Sequence, residues 1–362
     1  MITLFSIFIL SVQILFWLST YQLKKGFSQL KSIIPKKLVP FSVIISARNE
    51  ARNVIKYLPS ILEQDYPTFE VIIIDDNSTD DTSKILNHFK GQYAHLHIIK
   101  IEHKKSAGKK EGLQRAIRNT KYEWLVFTDA DCYPKSDQWL RKMASKCDEK
   151  TEIILGYSPY SKENGLLNDF IRYETFMTAV IYGTFTLSGI PYMGVGRNMA
   201  YKKSTFLNTV SKEKFEKTAS GDDDLAVNAM ANSHNTVLQF EEKARVISLP
   251  KTTFSDFIKQ KTRHLSPSTH YKAGHQWLLG LLAMSQATFY PVIIFLCFLN
   301  FNLAAFIFFL RMMTMVPFQI SLMNKMEVKD LRNKVILLDL LFFLYYWYIS
   351  FKWLKTKNSS WN

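Results

Sequence analysis

Hydrophobic residues in the first third of the chain fall in short runs separated by stretches of helical spacing. Four runs are nearly continuous and rich in β-branched residues, which is typical of strands buried on both faces of a sheet: FSVIIS (41–46), FEVIIID (69–75), LHIIKI (96–101) and EWLVFT (123–128). Residues 49–62 and 108–119 have helical spacing, and residues 75–89 are predicted to form a turn with capping candidates followed by a short helix. Strands alternating with helices predict an α/β fold with a mostly parallel sheet.

Two other regions are hydrophobic over much longer distances. Residues 1–22 contain no charged residue, and residues 277–310 contain no Asp, Glu, Lys or Arg. Each is long enough to cross a bilayer, which takes about 20 apolar residues. We predict an N-terminal anchor at 1–22 and about three C-terminal spans within 277–353. Arg311 and Asp339 interrupt the C-terminal runs, so one of these runs could lie along the membrane interface instead.

The flanks of the first hydrophobic run favour a permanent anchor over a cleaved signal peptide. No basic residue precedes the run, no small-residue cleavage site is evident, and Lys24 and Lys25 follow it. Because positive charge stays on the cytoplasmic side, the predicted soluble domain, residues 40–272, should face the cytoplasm.

Composition narrows the choice of partners. The formal net charge of +15 suits a nucleic acid, a membrane surface or an anionic substrate. The basic tract HKKSAGKK (103–110) is accompanied by no nucleic-acid-binding motif, so it is interpreted as a solvated face and no nucleic-acid partner is expected. Three cysteines without paired or metal-ligand spacing fit a reduced compartment.

Acidic residues follow two of the predicted strands, at the edge where parallel α/β sheets bind ligands. Asp129 and Asp131 follow the fourth strand and project to the same side of an extended segment. They either converge on Mg²⁺ or Mn²⁺ or merely keep a turn polar. Asp75 and Asp76 follow the second strand and either accept hydrogen bonds from a nucleotide or help to cap the next helix.

Two more polar motifs lie further along the chain. The run GDDD (221–224) holds three consecutive acids, which suits either a general base or the acidic first turn of a helix. Gln260, Arg263 and His264 share one face of a predicted helix just before the membrane segments. Arg263 could pair there with a pyrophosphate, or the helix could rest on lipid headgroups.

The order and spacing of these motifs resemble those of the membrane-integrated bacterial family 2 glycosyltransferases. The similarity runs from about Val43 to Tyr271 and includes VIISARNEARNVIKYLPSILEQDYP, EVIIIDDNSTDDT, the D-A-D of 129–131, GVGRNMAYKK, GDDD and QKTRH. It implies a GT-A fold, a Rossmann-like domain with a mostly parallel sheet. It also implies a nucleotide-diphosphate sugar donor and a lipid or glycan acceptor at the cytoplasmic face of a bacterial inner membrane.

The resemblance assigns roles to the donor-side residues. The nucleotide would be bordered by Ala47, Arg48, Glu50, Asp75 and Asp76. Asp129 and Asp131 would hold a divalent cation, Mn²⁺ or Mg²⁺, that bridges the diphosphate of the donor. GVGRNMAYKK (194–203) would line the acceptor side.

The resemblance also assigns the catalytic groups. Asp223 would be the base that deprotonates the acceptor, although the third acid of the run leaves Asp222 and Asp224 as alternatives. Gln260 and Arg263 match a Q-x-x-R-W motif in which His264 replaces the Trp, and this replacement disfavours a processive polymerase. The predicted function is inverting transfer of a sugar to a lipid-linked or membrane-associated acceptor. A small processive polysaccharide synthase and a non-catalytic membrane partner are the alternatives.

Overall fold

The computed structural model describes residues 1–29, 38–102, 109–210, 221 and 223–356. The chain divides into two compact units. The helical unit contains residues 1–29, 162–184 and the chain from Lys251 on, and the sheet unit contains the described residues of 38–161 and 185–250. The predicted boundaries of the soluble domain, residues 40–272, stay a prediction.

The sheet unit is built on seven strands in the order β3-β2-β1-β4-β7-β6-β8. These strands are β1 Phe41–Ala47, β2 Phe69–Asp75, β3 Leu96–Lys100, β4 Trp124–Asp129, β6 Ile153–Gly156, β7 Met199–Lys202 and β8 Thr236–Gln239. All neighbours are parallel except β7, which runs antiparallel to β4 and β6. Two short strands, β5 Cys132–Pro134 and β9 Val246–Ser248, form a separate antiparallel pair.

The four predicted strands form the parallel half of this sheet, so the α/β prediction is confirmed. Their bounds differ from the predicted ones by at most one residue at either end. Val43, Val71 and Val126 lie on β1, β2 and β4 and are fully buried. Continuous β-branched runs therefore identified the strands correctly, because both faces of these strands are covered.

Helices surround the sheet in one unit and make up most of the other. They are α1 Ile2–Gln29, α2 Ala51–Leu62, α3 Thr82–Gln92, α4 Lys110–Asn119, α5 Trp139–Ala144, α6 Leu166–Leu187, α7 Lys203–Thr209, α8 Asp224–Met230, α9 Phe254–Leu265, α10 Ala273–Leu299, α11 Phe301–Met323 and α12 Val335–Thr356. Helix α2 begins slightly later than the helical spacing predicted, and α3 follows the predicted turn; the loops before them contain left-handed residues, Asn49 (φ 58°) and Asn77 (φ 55°).

The helical unit contains four helices that are long and apolar enough to cross a membrane. They cover Ile2–Phe27, Ala273–Leu299, Phe301–Met323 and Lys329–Leu354. This arrangement confirms the prediction of one N-terminal and three C-terminal candidate spans. Large apolar side chains such as Phe298 are strongly exposed on these helices, as expected for surfaces that face lipid.

The two charges that interrupt the predicted spans form an ion pair. Arg311 on α11 is fully buried and donates to Asp339 on α12 through two hydrogen bonds of 2.7 and 2.9 Å. Tyr290 on α10 donates to the same carboxylate at 2.7 Å, and Arg311 also donates to the side-chain oxygen of Gln13 on α1. The charges are therefore paired and hydrogen-bonded, as buried charges in a membrane require, and the network includes residues from all four candidate spans.

Candidate active site

A cleft of the sheet unit opens beside the carboxyl ends of β1 and β4. Its empty volume is about 310 Å³, and its polar lining consists of Ser46, Lys109, Thr128, Asp129 and Asp223, with Gly196 beside them. Ser46 and Asp129 are direct neighbours in the β1–β4 register. The cleft therefore lies at the sheet edge where ligands of parallel α/β folds bind.

Asp129 and Asp131 lie close enough to share a cation. One oxygen of each carboxylate and the sulfur of Cys132 lie within 4.8 Å of one another. Ala130, between the two acids, packs into the hydrophobic core, so the alternation predicted for this segment is present. Two converging carboxylates are a donor set suited to Mg²⁺ or Mn²⁺, whose remaining ligands are usually phosphate oxygens and water.

Cys132 does not change that assignment. Its side chain is fully buried, and its thiol donates to Asp131 Oδ1 at 3.3 Å. Burial, together with the charges of Asp131 and Asp129, raises the pKa of the Cys132 thiol well above its ordinary value. A neutral thiol is a poor metal ligand, so the two carboxylates are the groups here that could bind a hard cation.

Lys109 is part of this site, although it was predicted to lie on a solvated basic face. Its Nζ lies 3.2 Å from Asp129 Oδ1, and about one third of each side chain is exposed. Lys110, the next residue, is buried. The interpretation of the tract as a solvated face is therefore wrong for these two lysines, and its first six residues, 103–108, lie outside the described residues.

Asp223 is held by two main-chain hydrogen bonds. Its Oδ2 accepts from the N–H of Gly196 at 2.8 Å, and its Oδ1 accepts from the N–H of Asp224 at 2.9 Å. The second bond caps helix α8, so the aspartate both starts a helix and lines the cleft. Its predicted alternative, Asp222, lies outside the described residues.

Gly196 permits this close approach because it lacks a side chain. A Cβ atom at this position would lie 2.9 Å from Asp223 Oδ2 and 3.2 Å from Asp223 Cβ. The polypeptide around it is anchored by Asn198, whose buried side chain accepts from Trp139 Nε1 at 3.0 Å and donates to the carbonyl of Tyr157 at 2.8 Å. This segment therefore sets the position of Asp223.

The two acids after β2 have different surroundings. Asp75 is fully buried, and its carboxylate accepts from the N–H of Ser78 at 3.2 Å and from the hydroxyl of Ser83. It thus stabilises the loop before α3. Asp76 is also buried, and its N–H donates to the carbonyl of Ala47 at 2.9 Å, which joins the ends of β1 and β2.

The loops that follow β1 and β2 are hydrogen-bonded to each other. Asn49 Oδ1 accepts from the N–H of Thr79 at 2.8 Å, and the N–H of Glu50 donates to Thr82 Oγ1 at 2.9 Å. Arg48 is exposed beside them. The structure therefore brings together the residues predicted to border a nucleotide, although it does not assign them that role.

Gln260, Arg263 and His264 lie on helix α9, which belongs to the helical unit. Their spacing of three and four residues places them on neighbouring positions of the helix surface, as predicted. Arg263 and His264 are exposed, whereas Lys261 is buried and forms an ion pair with Glu174. Their part in a reaction remains a prediction.

Arg197 is a charged residue near the acids to which no individual role was assigned. Its guanidinium carbon lies 4.4 Å from the centre of the Tyr160 ring, and Nη2 donates to the carbonyl of Ser158 at 3.3 Å. Burial lowers the pKa of Arg197, but Tyr160, Cys132 and the two acids Asp129 and Asp131 raise it above its ordinary value. Its charge therefore belongs to the electrostatics of the cation site.

Comparison with known proteins agrees with this arrangement. The sequence profile of Glycosyl transferase family 2 matches residues 42–207, which include β1 to β4 and the acids after them. The chain carries a family 2 glycosyltransferase domain. Glycosyltransferase AglE of Haloferax volcanii is 36% identical over 136 residues, which cover 35% of this chain and 42% of that protein.

Two other relatives of the glycosyltransferase domain have named products. The beta-monoglucosyldiacylglycerol synthase of Nostoc is 33% identical over 105 residues, which cover 28% of this chain and 22% of that protein. The poly-beta-1,6-N-acetyl-D-glucosamine synthase of Staphylococcus epidermidis is 25% identical over 243 residues, which cover 66% of this chain and 55% of that protein. The chain thus spans between about a fifth and just over half of the length of these relatives.

The fold of the chain also matches a solved structure. The mannosyltransferase PcManGT of Pyrobaculum calidifontis, solved in complex with GDP-Man and Mn²⁺, superimposes with a TM-score of 0.55 and 18% sequence identity. The match covers 92% of this chain and all of that protein. The α/β fold predicted from the sequence is therefore the GT-A fold.

Proposed function

We propose that the chain transfers a sugar from a nucleotide-diphosphate sugar to a hydroxyl group of a lipid-linked or membrane-associated acceptor, with inversion at the anomeric carbon. The observation that carries the proposal is the convergence of Asp129 and Asp223 on one cleft at the carboxyl edge of the parallel strands. In a family 2 glycosyltransferase domain, these two acids supply a cation ligand and a base at the same place.

The proposed reaction is a displacement in which Asp223 acts as the general base. The acceptor oxygen forms a bond to the anomeric carbon while the bond from that carbon to the diphosphate breaks, and the diphosphate leaves with the electron pair. Asp223 takes the proton of the acceptor hydroxyl. Asp129 and Asp131 would hold a divalent cation, which would supply positive charge beside the leaving diphosphate. The hydrogen bonds from Gly196 and Asp224 orient the base.

The remaining site residues complete the proposal. The loops that carry Ala47, Arg48, Glu50 and Asp76 would border the nucleotide, while Asp75 holds one of these loops in place. Gln260, Arg263 and His264 on α9 would meet the diphosphate or the acceptor. Arg263 is suited to the diphosphate because its planar fork can bind two phosphate oxygens at once.

A membrane-bound acceptor is supported by two observations. Four helices of the chain are long and apolar enough to span a membrane. One relative is named for a glycolipid product and another for a polysaccharide product. We propose an inner-membrane protein whose sheet unit faces the cytoplasm, because Lys24 and Lys25 follow the uncharged run of residues 1–22.

The test is a donor screen on the purified full chain with Mn²⁺ and acceptor membranes, in which labelled sugar is followed into lipid or polymer. We expect one nucleotide sugar to be turned over and Asp223→Asn to lower turnover by about 100-fold or more. Asp137→Asn, which changes an exposed acid, is the control. Turnover of no donor, or full activity of Asp223→Asn, would contradict the proposal, and product length separates single transfer from processive synthesis.

A further inference from the structure

The guanidinium group of Arg197 lies near Asp129 and Asp131 without forming an ion pair with either of them. No carboxylate of the residues described in the structure lies within 4.0 Å of its guanidinium, whereas Arg141, Arg172 and Arg311 each contact one. The only hydrogen bond that it donates to a described residue goes to the carbonyl of Ser158. Most of its five N–H donors are therefore available to a ligand.

The position of this guanidinium is fixed by its surroundings. Its guanidinium carbon lies 4.4 Å from the ring centre of Tyr160, which is itself buried. On the main chain, Arg197 stands between Gly196, whose N–H holds Asp223, and Asn198, whose side chain is buried among hydrogen-bond partners. A guanidinium that packs over a buried ring on an anchored backbone loses little conformational freedom on binding, which favours recognition of a planar or tetrahedral oxyanion.

The balance of charge in the cleft indicates which kind of ligand the guanidinium of Arg197 would bind. Asp129 and Asp131 currently offset the positive charges of Arg197 and Lys109. A divalent cation on the two aspartates would neutralise them and leave the cleft with an excess of positive charge. An anion that binds next to the cation restores the balance, and an arginine fork matches the oxygens of a phosphate group.

We propose that Arg197 binds a phosphate group of a substrate, in addition to the cation site and independently of Arg263. Because that phosphate belongs to one of the two substrates of the transfer, the assignment rests on the proposed function. Either substrate could carry this phosphate group: it could be part of the diphosphate of the donor or a phosphate on a lipid acceptor.

The first arm of the test measures binding to the full chain in detergent by titration calorimetry. Wild type, Arg197→Met and Arg197→Lys are titrated with MnCl₂ alone and then, with Mn²⁺ present, with inorganic pyrophosphate. If the donor is the source, Arg197→Met should weaken pyrophosphate binding by about 10- to 100-fold, as expected for loss of charged hydrogen bonds. Arg197→Lys should restore binding only partly, and the affinity for Mn²⁺ alone should not fall.

The second arm measures binding to nanodiscs or vesicles that contain undecaprenyl phosphate or, as a matched lipid, undecaprenol. If the acceptor is the source, the substitutions should remove the preference for the phosphorylated lipid and leave pyrophosphate binding unchanged. Arg141→Lys is the control, because Arg141 is only partly buried and already bonded to Asp65. Thermal unfolding of each variant identifies a loss of binding that results from misfolding.

Two results would overturn the assignment. One is unchanged binding of both phosphate ligands by a folded Arg197→Met variant. The other is a fall in Mn²⁺ affinity that accounts for any loss of phosphate binding, because Arg197 would then only position Asp129 and Asp131. A different result would contradict the proposed function but not the Arg197 assignment. In that case wild type would bind pyrophosphate in an Arg197-dependent manner yet turn over no nucleotide sugar.

Discussion

The main-chain N–H of Gly196 donates a hydrogen bond of 2.8 Å to the carboxylate of Asp223, 27 residues further along the chain. The bond connects the loop before β7 with the start of helix α8. It orients the carboxylate of the proposed base, and it requires a glycine because a Cβ atom would lie only 2.9 Å from Asp223 Oδ2.

Gly196→Ala should therefore impair catalysis more than donor binding. We expect kcat to fall by about 10- to 100-fold, because a shift of the base by a fraction of an ångström to 1 Å misaligns proton transfer. The KM for the donor should stay within about twofold, since the donor is bound by other residues. Steady-state kinetics with varied donor concentration provide the measurement.

Gly91→Ala is the matched control for that substitution. Gly91 is an exposed residue of helix α3, and no atom lies within 4 Å of the position that its Cβ would occupy. This change should leave kcat unchanged and can stabilise the helix by up to about 1 kcal/mol. Equal losses of activity in the two variants would show that the contact with Asp223 is not the cause.

Asp131→Asn should weaken cation binding. Replacing one of the two converging carboxylates removes a charged oxygen ligand, so we expect the affinity for Mn²⁺ to fall by at least about tenfold. Chelation of the metal with EDTA should abolish sugar transfer by wild type, and added Mn²⁺ should restore it. Titration calorimetry measures the affinity, with Asp137→Asn as an exposed-acid control; equal Mn²⁺ binding by both variants is the contrary result.

Lys109→Met should have the opposite effect on cation affinity. Lys109 lies 3.2 Å from Asp129 Oδ1 and competes with a cation for that oxygen. Because both side chains are partly exposed, the competition should be worth about 0.2–1 kcal/mol, so Mn²⁺ should bind about 1.5- to 5-fold more tightly to the variant. The gain should shrink as NaCl is raised from low to high concentration. Weaker binding of Mn²⁺ would mean that Lys109 supports the site instead of competing for it.

The ion pair between Arg311 and Asp339 should determine the stability of the helical unit. Arg311→Met leaves Asp339 buried without its partner and should lower the free energy of unfolding by about 3–5 kcal/mol. The double variant Arg311→Met with Asp339→Leu removes both charges and should recover most of the loss. Thermal unfolding in detergent tests this, with Arg332→Met as an exposed control; a double variant no more stable than the single one would contradict the expectation.

Local patterns predicted the strands well because burial on both faces leaves a continuous apolar run. The same reasoning placed the start of α2 slightly too early, and it did not show how the loops before α2 and α3 are held together. Asn49 and Asn77 adopt left-handed conformations, and side chains of each loop bond the main chain of the other. Contacts of that kind link residues about 30 positions apart, so the periodicity within either segment does not reveal them.

The site was predicted only in part for the same reason. Asp129 and Asp131 are two residues apart in an extended segment, so the pattern within that segment indicated that they converge. Lys109 lies 20 residues from Asp129, and it looked like one lysine among several in a basic tract. Arg197 follows a glycine in GVGRNMAYKK (194–203), and the sequence indicated only that this segment resembles one that lines the acceptor side.

The sequence by itself determined the α/β class, the four candidate spans, the acids at the ends of the strands and the family resemblance. All of these depend on periodicity, composition or spacing within short segments. The tertiary structure decided that Gly196 holds Asp223, that Lys109 pairs with Asp129 and Arg197 lies near the acids after β4, and that Arg311 is paired with Asp339. These relationships arise when distant segments pack together, because hydrogen bonds and ion pairs depend on distances in space and not on positions along the chain.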